Sequence, residues 1–162
     1  MTWNKPRPNI PEDMKAFWEA MKEHKFVLWH CKVCGAWYWP PACCRNHPNE
    51  PYMGNMEWKE VSGRGKVFTY TVPHWAFHPG FKDEVPYIYA LIELAEGPLF
   101  PSNVVNCDPS EIKVGLPVEV IFEDYLFGAI TCPRHPQQTH RRQDYLTVHN
   151  EISFIRILSG IF

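Results

Sequence analysis

Two short pairs of metal-ligating residues constrain this chain more than any other feature of its sequence. Cys31 and Cys34 form the first pair, and Gly35 follows them directly, where glycine lets the backbone turn and point its amides at sulfur. Cys44 and His47 repeat the same two-residue gap a short distance downstream. Three thiolates and one imidazole suit zinc, which is redox-silent and accepts sulfur and nitrogen ligands in a tetrahedron. We therefore predict a structural Zn²⁺ site with these four ligands.

Two alternatives to this ligand set remain open from the residues alone, and a redox role for the first pair is disfavoured. Cys43 is adjacent to Cys44 and offers a competing thiol. Cys132 and His135 also have a two-residue gap, although closing the longer loop between the pairs costs additional entropy. A redox role for the first pair requires a helix that follows a strand within a βαβ pattern, and the surrounding sequence lacks that pattern.

The composition around the two pairs explains why a metal is needed there. Residues 26–51 are rich in Cys, Trp and Pro and contain few aliphatic residues with which to build a core. Zinc binding supplies roughly 10–16 kcal/mol in zinc-finger peptides, which is enough to order such a segment. The sequence begins without an apolar leader and contains no long apolar run, so we expect a cytoplasmic protein without membrane association, whose cysteines bind metal rather than form disulfides.

The rest of the chain has the pattern of one helix and several strands. Residues 11–25 are predicted to form a helix, because Met14, Phe17, Trp18 and Met21 recur at helical spacing. This apolar face suits packing on its own domain or docking of a partner. Residues 66–72, 87–94, 99–106 and 117–126 are β-rich and separated by turn residues, which predicts a small β-barrel.

Several segments, in this order, resemble a family of small proteins that are encoded beside thiolases and other acyl-CoA enzymes. The segments are FWEA at 17–20, CKVCG at 31–35, WPP at 39–41, VSGRGKV at 61–67, VPY at 85–87, LIELAEG at 91–97 and VGLPV at 114–118. The resemblance implies a mainly β fold with an N-terminal helix, in which a rubredoxin-like zinc ribbon precedes an OB-fold barrel. It divides the chain into an N-terminal helical segment (1–25), the ribbon (26–53), the OB-fold (54–130) and a C-terminal extension (131–162).

This resemblance also implies a function, which is that of an accessory subunit bound to a thiolase-fold catalytic subunit in a hetero-oligomer. The high aromatic content, 15% of the residues, is similar to that of family members that serve thiolases acting on aromatic acyl-CoA esters. Two features depart from the family. The second ligand pair is Cys44 and His47 where the family has two cysteines, and the chain continues past the last family strand, where the extension is expected to add a strand or short helix to the barrel or to clasp a partner.

Thiolysis needs a nucleophilic cysteine, an acid/base group and an oxyanion site, and this chain offers no such set. Cys107 and Cys132 lack a neighbouring motif that would activate them, so we expect the partner to carry the catalytic residues. Two segments are candidates for contact with the CoA ester or its acyl group. The structural alternatives are a turn that leads into the next strand for the first segment and a loop folded over the end of the barrel for the second. The residues are Arg64 and Lys66 in the first, and His74, Trp75, Phe77, His78 and Phe81 in the second.

Other functional classes fit less well. A single-stranded nucleic-acid module would use the aromatics, but the formal net charge of -2 lacks the basic footprint that phosphates require, and we expect no nucleic-acid partner. A stand-alone acyl-CoA-binding regulator would bind CoA esters as a monomer. A rubredoxin-like electron carrier would need iron and four thiolates.

Overall fold

A computed structural model describes residues 9–47, 54–126 and 151–159 of the chain. Short 3-10 helices span Glu12–Met14 and Pro79–Glu84, and the α-helix α1 spans Lys15–Lys22. The strands are β1 Val27–Cys31, β2 Trp37–Tyr38, β3 Met56–Glu60, β4 Arg64–Thr71, β5 Ile88–Leu94, β6 Leu99–Val105, β7 Pro117–Leu126 and β8 Glu151–Ser159. The mainly β fold class with an N-terminal helix is thereby confirmed.

The N-terminal helix packs on its own protein. Phe17 and Met21, one turn apart on α1, are both buried in the main hydrophobic core. The helix ends earlier than predicted because His24 adopts a left-handed conformation with φ of 55°. There the chain turns back, and the Lys25 amide donates to the carbonyl of Ala20. The apolar periodicity therefore reflects packing within the chain.

The metal-ligand segment is part of a three-stranded antiparallel sheet with the order β2-β1-β3. All five residues of β1 are buried. Val27 and Leu28 belong to the main core, whereas Trp29 and Cys31 belong to a second cluster with Cys44 and Met56. Because β3 pairs with β1 along its whole length, the ribbon sheet extends past the predicted boundary at residue 54.

A closed barrel with the strand order β4-β5-β6-β8-β7 forms the rest of the described chain. The four predicted barrel strands are confirmed within two residues at each end. Alternate residues of β5 face the interior, and these four, Ile88, Ala90, Ile92 and Leu94, are buried. Gly65 permits the close pairing of β4 with β5, since a Cβ atom there would lie 2.7 Å from the carbonyl oxygen of Glu93.

The C-terminal extension contributes the strand that closes the barrel. Strand β8 pairs antiparallel with β7 over nine residue pairs and parallel with β6 over two. The barrel therefore exceeds the predicted range of 54–130, because β6 and β7 would otherwise present unpaired edges. A strand was one of the two structures expected of the extension.

The helix, the ribbon and the barrel meet at a cluster of aromatic rings around Trp39. The Trp39 ring centroid lies 4.9 Å from that of Phe17 on α1, 4.6 Å from that of Phe100 on β6 and 6.5 Å from that of Trp58 on β3. Trp39 is therefore a packing residue. No helix in the described part of the chain has the length and apolar character needed to cross a membrane.

Candidate metal centre

The first ligand pair lies on a tight turn that begins at the end of β1. The Gly35 amide donates to the Cys31 carbonyl at 2.9 Å, and Gly35 has the left-handed φ of 73° that the turn requires. The Cys31 amide donates to the Ala36 carbonyl at 2.8 Å, which aligns the chain for β2. The turn thereby brings Cys34 back over the end of β1.

The second ligand pair is tied to the same strand by a side-chain hydrogen bond. The Trp29 indole Nε1 donates to the Ala42 carbonyl at 2.9 Å. Two residues later the chain reaches Cys44, whose carbonyl accepts the His47 amide at 3.1 Å in a second tight turn. Trp29 on β1 therefore sets the position at which this turn faces the first one.

The four predicted ligands converge on one point. Their ligand atoms, Sγ of Cys31, Cys34 and Cys44 and a ring nitrogen of His47, all lie within 4.8 Å of one another. Cys34 Sγ is 3.4 Å from Cys44 Sγ, and His47 Nδ1 is 3.3 Å from Cys44 Sγ and 3.7 Å from Cys31 Sγ. Tetrahedral zinc with ordinary Zn–S and Zn–N bonds needs ligand separations of about 3.5–3.8 Å. These three separations lie within a few tenths of an ångström of that range.

Two polar side chains support the sulfurs from outside the ligand set. The Tyr38 hydroxyl donates to Cys44 Sγ at 3.5 Å and accepts the Arg45 amide at 2.9 Å. The Asn46 amide Nδ2 donates to Cys34 Sγ at 3.4 Å. The hydrogen bond from Tyr38 lowers the pKa of the Cys44 thiol to about 7, which favours the thiolate that a metal binds.

Burial differs among the ligands and their neighbours. Cys31 and Cys44 are buried, His47 is half-buried and Cys34 is exposed at the outer corner. Cys43 is also exposed and lies outside the group of converging ligands. A site in which the protein supplies all four positions is typical of structural rather than catalytic zinc. The alternative ligands Cys132 and His135 lie outside the described residues.

The first predicted CoA-contact segment is a turn whose amides are already used. Gly63 is buried with φ of 71°, and its carbonyl accepts the Val120 amide of β7. The Ser62 amide donates to the Glu96 carboxylate at 2.9 Å, and the Arg64 amide donates to the Ser62 hydroxyl at 3.2 Å. The turn therefore closes the barrel between β4 and β7, and a carboxylate occupies the amide that a phosphate would need.

The two cations of that segment point along the outside of the barrel, and both are exposed. Lys66 Nζ lies 3.1 Å from Glu93 Oε2 on β5, and Arg64 lies opposite Glu119 in the β4–β7 ladder. Each cation thus has a carboxylate residue on a neighbouring strand. A phosphate at this position would have to compete with those carboxylates.

The second predicted segment, residues 74–81, separates into outward and structural residues. Trp75 and Phe77 are 76% and 85% exposed, and His74 is also exposed. His78, in contrast, caps the 3-10 helix by accepting the Gly80 amide at its Nδ1, at 3.1 Å. The Phe81 ring packs edge-on against the His78 ring, with centroids 6.1 Å apart. The structure therefore does not gather these five residues into one pocket.

Two features of the metal region were not predicted from the sequence. One is the contact of the Tyr38 hydroxyl with Cys44. The other is buried His30 on β1, whose Nδ1 lies 3.0 Å from Glu57 Oε1 on β3 and whose ring packs on Trp37. A histidine inside an apolar strand next to a ligand gave some indication of a buried polar pair, whereas nothing in the sequence marked the Tyr38 hydroxyl.

Comparison with known proteins identifies similar chains in acyl-CoA metabolism. A family model described as the C-terminal OB-fold domain of ChsH2 matches residues 58–123, which confirms the predicted OB-fold. A probable enoyl-CoA hydratase alpha subunit from Thermomonospora curvata is 40% identical over 118 residues, which cover 70% of this chain and 34% of that protein. The present chain thus spans about one third of the length of that relative.

In two further comparisons, the match extends over most of the length of the other protein. A DUF35 domain-containing scaffold protein from Methanocaldococcus jannaschii is 36% identical over 126 residues, covering 70% of this chain and 82% of that protein. A solved chain of an Ltp2-ChsH2(DUF35) aldolase superposes with a TM-score of 0.68 and 26% identity, covering 96% of this chain and all of that chain. The likeness therefore includes the ribbon and the barrel together.

Proposed function

Because the chain belongs to the DUF35 family of scaffold proteins with a ChsH2-type OB-fold domain, we propose that it is the accessory subunit of an acyl-CoA enzyme complex. The observation that carries this proposal is the likeness of the whole described fold to the DUF35 chain of an aldolase, together with a relative named as a hydratase alpha subunit. The first is named as an aldolase of Ltp2 and ChsH2(DUF35), and the second is named as an alpha subunit.

Zinc is proposed to hold the ribbon in shape through Cys31, Cys34, Cys44 and His47. The support is the convergence of four ligand atoms within 4.8 Å of one another, with three separations of 3.3–3.7 Å that are close to those of tetrahedral zinc. When bound, the ion supplies a cross-link between the two turns and leaves no position for a substrate. The ribbon residues thereby present a fixed surface at one end of the subunit.

A thiolase-fold catalytic subunit is the proposed partner, and the reaction is the CoA-dependent cleavage of a 3-oxoacyl-CoA. The support for a thiolase is the resemblance of the motifs, in their order along the chain, to proteins encoded beside thiolases and other acyl-CoA enzymes. In this reaction the partner's cysteine thiolate attacks the 3-oxo carbon, and the C2–C3 bond breaks with its electron pair on C2 as an enolate. The enolate takes a proton from an acid group of the partner and leaves as an acyl-CoA. The thiolate of CoA then attacks the acyl-enzyme and releases the partner's cysteine as thiolate. The present chain is expected to contribute positioning groups rather than the nucleophile.

Residues 74–81 are proposed to lie at the acyl end of the partner's active site. Exposed Trp75 and Phe77 offer rings against which an aromatic acyl group can stack, and His74 offers a polar contact. His78 and Phe81 hold the turn that presents them. Benzoylsuccinyl-CoA is the proposed substrate, since its phenyl ring suits this aromatic loop. Arg64 and Lys66 are the proposed contacts for the CoA phosphates.

A reconstitution assay tests this function. The thiolase-fold subunit is assayed for CoA-dependent cleavage of benzoylsuccinyl-CoA alone and after co-expression with this chain, with an aliphatic 3-oxoacyl-CoA as the comparison substrate. We expect cleavage only with both subunits and a higher kcat/KM for the aromatic ester. At subunit concentrations that keep the complex assembled, Phe77→Ala should reduce the preference for the aromatic ester without loss of zinc. Full activity of the catalytic subunit alone would refute the proposal.

A further inference from the structure

Exposed aromatic side chains are concentrated on one hairpin of the barrel. In the described part of the chain, eight large hydrophobic side chains are highly exposed, and five of them lie on the hairpin formed by β4, the connecting loop and β5. These five, which we call the aromatic hairpin, are Phe68, Tyr70, Trp75, Phe77 and Tyr89. A monomer rarely leaves so many neighbouring aromatics in water without a partner.

The loop that carries the two most exposed rings is braced from within. The His78 cap and the 3-10 helix Pro79–Glu84 fix the chain directly after Phe77. The Tyr87 amide donates to the Pro73 carbonyl at 3.4 Å, which joins the two ends of the loop. A loop backbone that is held in place before binding loses little conformational entropy on binding, so this loop is suited to act as an anchor.

The hairpin exposes aromatic rings on both of its faces. Tyr70 pairs with buried Ala90 and so lies on the face of the sheet that forms the barrel interior, yet it is 39% exposed. Tyr89 pairs with Thr71 on the opposite face and is 41% exposed. A flat surface covers one face of a hairpin, whereas a cleft covers both. The distribution of exposed rings therefore favours insertion into a cleft.

The exposed area is close to what one side of a stable interface requires. A fully buried aromatic side chain buries about 150–250 Å². The exposed fractions of the five side chains together equal about three whole side chains, so they offer about 450–700 Å² for burial. A standard interface buries about 800 Å² per partner. Exposed Lys82 and Asp83 lie beside the loop and supply the polar rim that such interfaces have.

We propose that the aromatic hairpin inserts into an apolar cleft of the catalytic subunit, with Trp75 and Phe77 as its anchors. This inference rests on the proposed function and names the surface through which it is carried out. A second copy of this chain is a poorer occupant, because a two-fold contact opposes the same patch on both copies and leaves one hairpin face uncovered. A nucleic acid is disfavoured by the net charge of -2.

The test measures affinity between the purified subunits by titration calorimetry. The double variant Trp75→Ser/Phe77→Ser is compared with the wild type and with Leu99→Ser/Val114→Ser, which removes exposed apolar side chains outside the hairpin. We expect the hairpin variant to bind the catalytic subunit at least about 100-fold more weakly, with unchanged zinc content and thermal unfolding. The control should bind within about threefold of the wild type.

The outcomes separate this inference from the proposed function. Wild-type affinity in the hairpin variant overturns the docking surface and leaves the subunit function standing. Absence of binding by the wild type itself overturns both. If light scattering shows a wild-type homodimer that the hairpin variant does not form, the surface belongs to a second copy. If the wild type binds a labelled oligonucleotide and the hairpin variant does not, the surface belongs to nucleic acid. Either result overturns the inference.

Discussion

The ribbon and the barrel of this protein are held together by different means. In the ribbon turns, Lys32, Val33, Cys34 and Gly35 are exposed, and the order of the turns depends on converging ligands and a few hydrogen bonds. In the barrel, the interior residues of β5 are at most 2% exposed, and cohesion comes from apolar burial. The proposed ion would supply a cross-link where apolar residues are few, whereas regular apolar alternation makes a cross-link unnecessary in the barrel.

Strand β1 connects the two regions and limits how independent they are. Its first residues pack in the main core and its last residue, Cys31, is the first of the predicted metal ligands. Loss of the metal should therefore release the turns without releasing β1 from the core. The following predictions test this separation, from the largest expected effect to the smallest.

Removal of a buried ligand should have the largest effect. Cys44→Ser should reduce zinc from about one equivalent to a small fraction, because zinc in such sites contributes roughly 10–16 kcal/mol that three ligands cannot retain. Hydrogen exchange should become fast in the two turns while the β5 amides stay protected. Cys43→Ser, at the exposed neighbouring thiol, is the matched control and should keep its zinc. Full zinc in Cys44→Ser would refute the ligand assignment.

A cavity in the barrel should lower the stability of the barrel and leave the zinc site intact. Ile92→Ala removes a fully buried side chain and should lower the free energy of unfolding by about 2–5 kcal/mol, measured by denaturant titration of the zinc-bound protein. Zinc content should not change. Leu91→Ala, at a half-buried position on the outer face, should cost clearly less. If Ile92→Ala also released zinc, the two regions would have to be regarded as one cooperative unit.

Loss of the Tyr38 hydroxyl should weaken zinc binding less than loss of a ligand does. Tyr38→Phe removes the hydrogen bond that lowers the pKa of Cys44, and should weaken zinc binding about 10–100-fold in competition with a chelator. The pKa of Cys44 then rises, protons compete better for the thiolate, and zinc is released at a higher pH during acidification. Tyr87→Phe serves as the control. An unchanged release midpoint would exclude this role.

A surface ion pair of the barrel should have the smallest effect on stability. Lys66 and Glu93 are both well exposed, so Lys66→Gln should change the free energy of unfolding by less than about 1 kcal/mol. If Lys66 contacts the CoA phosphates in the complex, the same substitution should raise the KM for CoA esters. An unchanged KM would remove Lys66 from the proposed phosphate contacts.

Much of the fold was predictable because it depends on local patterns. Turn residues and alternation defined β5, β6 and β7, and ligand spacing selected the four residues that converge. Strand β1 was not identified because it is buried on both faces and contains Trp29 and His30, so it lacks alternation. The closing role of β8 depends on pairing with two distant strands, which periodicity does not encode. The hydroxyl contact of Tyr38 depends on side-chain geometry alone.

Native mass spectrometry of the co-expressed proteins tests the central claim most directly, because one spectrum reports both the bound metal and the partner. We predict a complex that contains this chain together with the thiolase-fold subunit, with one zinc ion for every copy of this chain. Detection of this chain only by itself, or only in complexes with its own copies, would contradict the proposed function.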